Sequence, residues 1–451
     1  MKDSLTIKFS QCVYEANPLY SMDALEAAER GILDYVASCF AASEEEGVKN
    51  LLNLVEVEGG IARSPVIGQH KKVSTKQAAL LNGFIGHALD YDDVHSDVRG
   101  HPSTVILPVL FSLHAVNPTI TGARLIASYI VGVEVMARLG EGIGKTHYEK
   151  GWHNTGTLGV IAAAVAGSYL LQYEVKDIAK VIGFAATQAS GLRMQFGTET
   201  KPLHAGLAAQ SAIQAVQFVQ HQINGSENGL DGPYGFFEVY GNGVDFASPF
   251  ILSNWGDRWR ITNPGLWFKR YPFCSAATHA SDATYRLKEK YQINPREIEA
   301  IRVIYPPGGD AALIHKEPSN GEQGRFSVEY IIASILLDYD LTIDHFQPKT
   351  IGSDIRELMG KIHREYDATI SPSMISYPKG RFTIIQILKN KQVSWSERVD
   401  APKGSFANPL TRSEVEEKLE QCVKDRRLAY KIKKSISAIK EEGVSPLLTL
   451  L

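Results

Sequence analysis

The segment TLGVIAAAVAGSYLLQY, Thr157 to Tyr173, constrains the fold more than any other stretch of this chain. It is apolar on every side, so a helix built from it belongs in an interior. Its Ala and Gly residues let neighbouring helices approach closely. Ser168 interrupts it, and it falls short of the ~20 strongly apolar residues of a bilayer span, which predicts a buried helix and no membrane anchor. AGLAAQSAIQAVQFVQHQ and KDIAKVIGFAATQASGL repeat the small-residue texture. In SMDALEAAERGILDYVASCFAA, residues Ala24, Ala27, Ala28, Ile32, Leu33 and Val36 recur near the 3.6 period behind Ser21 as N-cap. Residues 1–265 are therefore expected to form an all-helical domain.

The texture changes after TNPGLWFKRYPFC. EIEAIRVIYPP and GRFTIIQILKNKQVSWSERV carry short β-branched runs broken by turn residues, predicting a smaller α/β (α+β) domain over residues 266–398. From 399 to 451 helical periodicity returns, with Thr411 or Ser413 as N-cap and Gly443 as a stop, so the chain should end back on the helical domain. The expected fold class is mainly α, and 451 residues exceed what one core usually serves.

Apolar residues at 44% and charged residues at 22% are ordinary for a globular protein. A formal net charge of -3 leaves no electrostatic footprint for nucleic acid or an anionic membrane. Lys424, Arg426, Arg427, Lys431, Lys433 and Lys434 are interleaved with acids and read as a solvated helix face. Cys12, Cys39, Cys274 and Cys422 form no C-x-x-C pair, and MKDSLTIKFSQCVYEANPLY lacks a signal-peptide apolar run. Reduced thiols, a cytoplasmic location and a small-molecule partner are the expectation.

Several segments carry candidate chemistry. GEGIGKT, Gly140 to Thr146, falls one glycine short of a P-loop because position 139 is Leu139, and a helix rather than a strand precedes it. HALDYDDVHSDVRGHPST, His87 to Thr104, is dense in acids and imidazoles but lacks the spacing of zinc or EF-hand ligands, so no metal is expected. Asp97 reads as a turn or N-cap aspartate. Asp90, following the apolar GFIGHAL, would be partly buried and needs a histidine or lysine partner. His101 stands before Pro102 at the start of a helix, placed to meet an anion. His153 precedes the N-T-G-T turn in a similar arrangement. Arg193, Lys201 and His204 lie in GLRMQFGTETKPLHAG, and Lys269, Arg270 and His279 in FKRYPFCSAATHASDA. These glycine-bounded, cation-rich loops suit a polyanionic small molecule.

HALDYDD with HPS, KGWHNTGT, GTETKPLHAG, KRYPFCSAATH, RFSVEY and DAPKGSFANPLTRSEVEEK follow one another in the order found in the MmgE/PrpD family, which this chain resembles over essentially its whole length. That family includes 2-methylcitrate dehydratase, cis-aconitate decarboxylase and iminodisuccinate epimerase. The resemblance implies a large helical domain, a smaller α/β lid, a cofactor-free site between them and a homodimer. It carries the pocket positions onto Asp90, His101, His153, Lys201, His279 and Tyr330. Here Val94 stands where some members, the decarboxylases among them, have Thr, and one extra residue separates Asp90 from His101.

The resulting expectation is a cofactor-independent lyase acting on a di- or tricarboxylic acid by proton transfer next to a carboxylate. Dehydration of a citrate-like hydroxy acid comes first. The alternatives are epimerisation of an amino- or imino-dicarboxylate, cis-aconitate-type decarboxylation and, less favoured, non-catalytic carboxylate binding. His101 would move the proton with His153 as partner or substrate contact, and Asp90 would orient a histidine or lysine. Lys201 and His279, with Arg193 and His204 nearby, would hold carboxylates, and Tyr330 would donate a hydrogen bond from the lid.

Overall fold

A computed structural model describes residues 4–241, 251–339 and 341–451. At its centre, helices Thr75–His87, Ser103–Val116, Gly159–Leu170 and Thr200–Gln220 pack against one another. Every residue of Gly159–Leu170 is buried, as its all-round apolar character requires. Among the described residues no helix is long and apolar enough to cross a membrane. Ser21 caps helix Met22–Ala42, its hydroxyl accepting from Ala24 N. The GEGIGKT segment lies inside helix Gly122–Glu149, which bends where Gly144 adopts φ 70°, and not on the strand-to-helix loop that a phosphate cradle needs.

One close approach sets the geometry of everything that follows. Helices Thr75–His87 and Thr200–Gln220 meet at Gly83 and Gly206, where a Cβ on Gly83 would stand 2.9 Å from Gly206 Cα. A Cβ on Gly206 would stand 2.4 Å from Leu80 O. Only glycine at both positions permits this separation, and the contact lays Lys201, near the start of one helix, against His87, at the end of the other.

The second part of the chain builds a four-stranded sheet. With the hairpin strands β1 (Ser64–Val66) and β2 (Lys71–Val73) numbered first, it contains β3 (Ala300–Tyr305), β4 (Ile362–Tyr366), β5 (Thr383–Lys389) and β6 (Gln392–Val399). The order is β4-β3-β5-β6, with β3 parallel to β4 and the other pairs antiparallel. Helix Thr278–Lys290 packs on this sheet and on helix Val328–Leu336. The molecule is thus mainly α with a smaller α/β region. One core runs from Phe9 to Phe268 and resumes at Leu410, and the other takes Phe273 to Val399 together with Phe196. Between them the strip Lys269–Tyr271 crosses from one core to the other.

The closing helices, beginning with Arg412–Cys422, pack on the helical body. Thr411, not Ser413, caps the first of them in a reciprocal box with Glu414. From that helix Lys418 reaches inward to Asp34 Oδ1 and the Tyr91 carbonyl, each at 2.7 Å. Gly443 ends the helical turn Ile439–Glu442 with φ 83°.

Gly206→Ala tests the glycine contact. Helix propensity alone would favour alanine by about 0.5–1 kcal/mol, whereas overpacking costs about 1–3 kcal/mol. The clash should win, and urea denaturation should show a lower midpoint than wild type. An unchanged or raised midpoint would mean that the two helices can separate freely.

Candidate active site

The segment after helix Thr75–His87 turns back sharply, with Asp90 at φ 50°, a left-handed conformation that aspartate tolerates better than most residues. Cations from three distant segments hold the carbonyls of this turn. Arg325 donates to Ala88 O at 3.1 Å, Lys269 to Asp90 O at 2.6 Å and Lys418 to Tyr91 O. Asp90 Oδ1 lies 2.7 Å from Lys201 Nζ and 3.0 Å from Lys269 Nζ. Burial pushes the Asp90 carboxyl up, but the two ammonium groups outweigh it and hold it well below the usual carboxylate range. The partner that Asp90 needs is therefore a pair of lysines.

Asp92 organises the imidazoles. Both its oxygens lie 2.9 Å from His87 Nδ1, and Oδ2 lies 3.3 Å from His101 Nδ1. His87 Nε2 faces Lys201 Nζ at 2.8 Å. Because an ammonium only donates, His87 accepts at Nε2 and carries its proton on Nδ1, toward Asp92. Burial pushes the His87 pKa down to about 3. Burial also lowers His101, reinforced by Lys269 and Lys201 and opposed by Asp92. His101 is thus neutral at pH 7, with Nδ1 3.3 Å from Asp92 Oδ2 and Nε2 3.5 Å from Asp90 Oδ1.

Asp90, His101, Lys201 and Lys269 line a cleft of about 960 Å³ between the helical body and the smaller α/β region, with His87 and Asp92 behind them. Asp90, His101, His153, Lys201, Arg193 and His279 all reach it. His153 Nδ1 shares a hydrogen bond of 3.1 Å with His204 Nδ1, placing His204 behind His153. His279 Nε2 donates to Tyr377 O at 3.0 Å, and burial pushes its pKa down to about 3. It meets the cleft as a neutral ring, so the expected cationic contact there does not hold in this state. Tyr330 is not brought to the cleft. Its ring packs on Gly324 and His345 in the smaller core, and its hydroxyl donates to His345 O at 2.7 Å. Capping at helix Ser103–Val116 falls to Asp93, which accepts from Ser103 N at 3.3 Å. Asp97 instead pairs with Arg260 at 3.1 Å.

Sequence reasoning passed over His87 and Asp92, and named Lys269 only as one of several cations. His87, Asp90, Asp92 and His101 bring potential ligand atoms within 4.8 Å of one another. Lys201 and Lys269 fit this set better than a divalent ion does, since their ammonium groups already supply two positive charges against Asp90 and would repel a metal at the same spot.

A helical body, a smaller α/β region and a buried cluster of acids, lysines and imidazoles at the cleft between them form the candidate active site of an enzyme. Sequence comparison gives the family: the MmgE/PrpD N-terminal domain matches residues 11–249 and the MmgE/PrpD C-terminal domain residues 271–441. The chain belongs to the MmgE/PrpD family, and it is a lyase. It is 26% identical over 430 residues to the cis-aconitate decarboxylase of Homo sapiens, covering 93% of this chain and 87% of that one. It is 25% identical to the Mus musculus enzyme of the same name, over 93% of this chain and 86% of that one. Cis-aconitate decarboxylase of Aspergillus terreus (strain NIH 2624 / FGSC A1156) is 24% identical, over 95% and 92%.

The depressed imidazoles set an acid limit on stability. His87 and His279 sit at about 3 and His204 at about 4, all below the ~6.5 of an unfolded chain. Below that value the unfolded state binds protons that the folded state refuses. Stability should be flat above pH 6.5 and fall as pH drops toward 4. Melting temperatures measured from pH 8 to pH 4.5 check this, and a flat profile would contradict neutral burial.

Proposed function

We propose that the chain is a proton-transferring lyase for a tricarboxylic acid, with dehydration of a citrate-like hydroxy acid as its reaction. The observation that carries this reading is the neutral His101 at the cleft, its Nδ1 3.3 Å from Asp92 Oδ2 and its Nε2 3.5 Å from the Asp90 carboxylate that the Lys201 ammonium pairs with. A resting neutral imidazole is ready to remove a proton and not to deliver one.

In the proposed reaction His101 Nε2 takes the proton from the carbon next to a carboxylate. The C–H electron pair becomes the new C=C bond, and the C–O bond to the hydroxyl on the neighbouring carbon breaks. Lys201 gives the departing oxygen a proton, so it leaves as water. Burial pushes the Lys201 pKa down, making it a stronger acid than a free lysine. Exchange with solvent returns His101 and Lys201 to their starting protonation. Asp90 keeps both ammonium groups in place, and Lys269 offsets charge that spreads into the carboxylate.

Val94, Trp267 and Tyr377 form an apolar corner, of which Val94 and Trp267 line the cleft. Such a corner favours an acid bearing an alkyl substituent, as 2-methylcitrate does. The relatives favour a second reading, decarboxylation of cis-aconitate. There a C–C bond breaks to release CO2, its electron pair shifts the double bond, and a proton is delivered to the far alkene carbon. That step requires His101 in its protonated form, which bound carboxylates would promote.

Incubation with 2-methylcitrate, citrate and cis-aconitate in D2O, followed by NMR, separates these readings. The account expects loss of water from a hydroxy acid, with deuterium entering the substrate next to a carboxylate on reversal. CO2 release from cis-aconitate would establish the second reading, and no change in any substrate would overturn both. His101→Gln should lower turnover by about 10²–10⁴-fold with little change in melting temperature.

A further inference from the structure

The acid/base cluster fills only the inner end of the cleft. A cavity of about 960 Å³ is at the upper end of the size that encloses drug-like ligands, so its lining offers a polycarboxylic acid contacts beyond the acid/base cluster. In the inner cluster Asp90 and Asp92 offset Lys201 and Lys269, so that end is close to neutral. The outer end is different.

There Tyr148, from the last turn of helix Gly122–Glu149, is the centre of three guanidinium groups. Arg193 lies on its ring, 3.8 Å from the centroid, and Arg99 is 5.8 Å away. Arg381, from the smaller domain, is close enough to act on both Tyr148 and Arg99. All four side chains line the cleft. Arg193 donates to Tyr148 O at 2.8 Å and to Ala311 O at 2.6 Å, bridging the two domains, and Arg381 donates to Gly309 O. Among the described residues none of the three is in an ion pair, and their protein partners are neutral carbonyls and rings. Burial and repulsion from Arg99 push the Arg381 pKa down. Asp310, the acid that acts on Arg381, is already paired with Arg364; three gathered guanidinium groups without an ion-pair partner are costly unless an anion joins them, and each carries the planar fork that grips a carboxylate.

We infer that Arg99, Arg193 and Arg381 around Tyr148 form a second anion subsite that holds a carboxylate of the substrate remote from the reacting carbon. This rests on the proposed polycarboxylate chemistry and adds a specificity element to it. Because Arg193 and Arg381 are tied to Ala311 and Gly309, a ligand held here also links the two domains.

Titration calorimetry with propane-1,2,3-tricarboxylate tests the subsite without turnover, since that acid has neither hydroxyl nor double bond. Arg381→Gln should weaken its binding by about 10–100-fold. The same substitution should change binding of the derivative with one terminal carboxylate converted to an amide by less than about threefold. Arg99→Gln, at a partly exposed residue, gives a second variant should Arg381→Gln fail to fold, and should show the same pattern. Wild-type binding retained in folded variants would overturn the subsite and leave the proposed chemistry standing. Equal weakening of the triacid and its amide would also overturn it, because the arginines would then act only as diffuse charge. A wild-type protein that binds none of the triacid would overturn the polycarboxylate reading and the subsite together.

Discussion

A single carboxylate oxygen, Asp90 Oδ1, lies between the ammonium groups of Lys201 and Lys269 in the protein interior. Unpaired, any of these charges would be expensive to bury. Together they fix one another, and each is delivered by a different part of the fold. Asp90 sits on a left-handed turn, Lys201 on a helix brought close by the Gly83–Gly206 contact, and Lys269 on the strip that joins the two cores. Removing Asp90 would leave two ammonium groups buried against each other, and removing Lys269 would free the Asp90 carbonyl in the turn that leads to Asp92.

That arrangement determines the protonation of the imidazoles. Lys201 presents N–H to His87, which commits the proton of His87 to Asp92. The same carboxylate then faces His101 Nδ1, leaving Nε2 toward the cleft. Burial depresses the His101 pKa, two lysines add to it and one aspartate opposes them, so the outcome is a neutral base beside charged acids. Pairs of groups whose environments push their protonation apart are the usual physical basis of acid/base chemistry near neutral pH.

Much of the helical body was legible because all-round apolar, small-residue segments have few alternatives to a close-packed interior. Strands β3, β5 and β6 were legible from their β-branched runs, whereas β4, with His363, Arg364 and Glu365 in its five residues, carries no such signal. Asp90, His101, His153 and Lys201, which the structure places at the cleft, could be named beforehand because the family motifs contain them and because a carboxylate behind an apolar run demands a partner. His87 and Asp92 were missed for a physical reason: a histidine at a helix end and an acid in a loop look solvated until tertiary contacts bury them. Tyr330 shows the converse. A motif residue on a helix faces wherever packing turns it, and here packing against Gly324 and His345 claims the ring. The arginines around Tyr148 were unreadable as a set, since they converge from positions 99, 193 and 381 only in the folded chain.

The central claim is that the Asp90–Lys201–Lys269 cluster and Asp92 fix His101 as a neutral, Nδ1-protonated base. Nitrogen-15 NMR of the His101 ring through a pH titration measures both properties at once. The account predicts a midpoint below 6.5 and the Nδ1–H tautomer at pH 7. A midpoint at or above 6.5, or the Nε2–H tautomer, would contradict it.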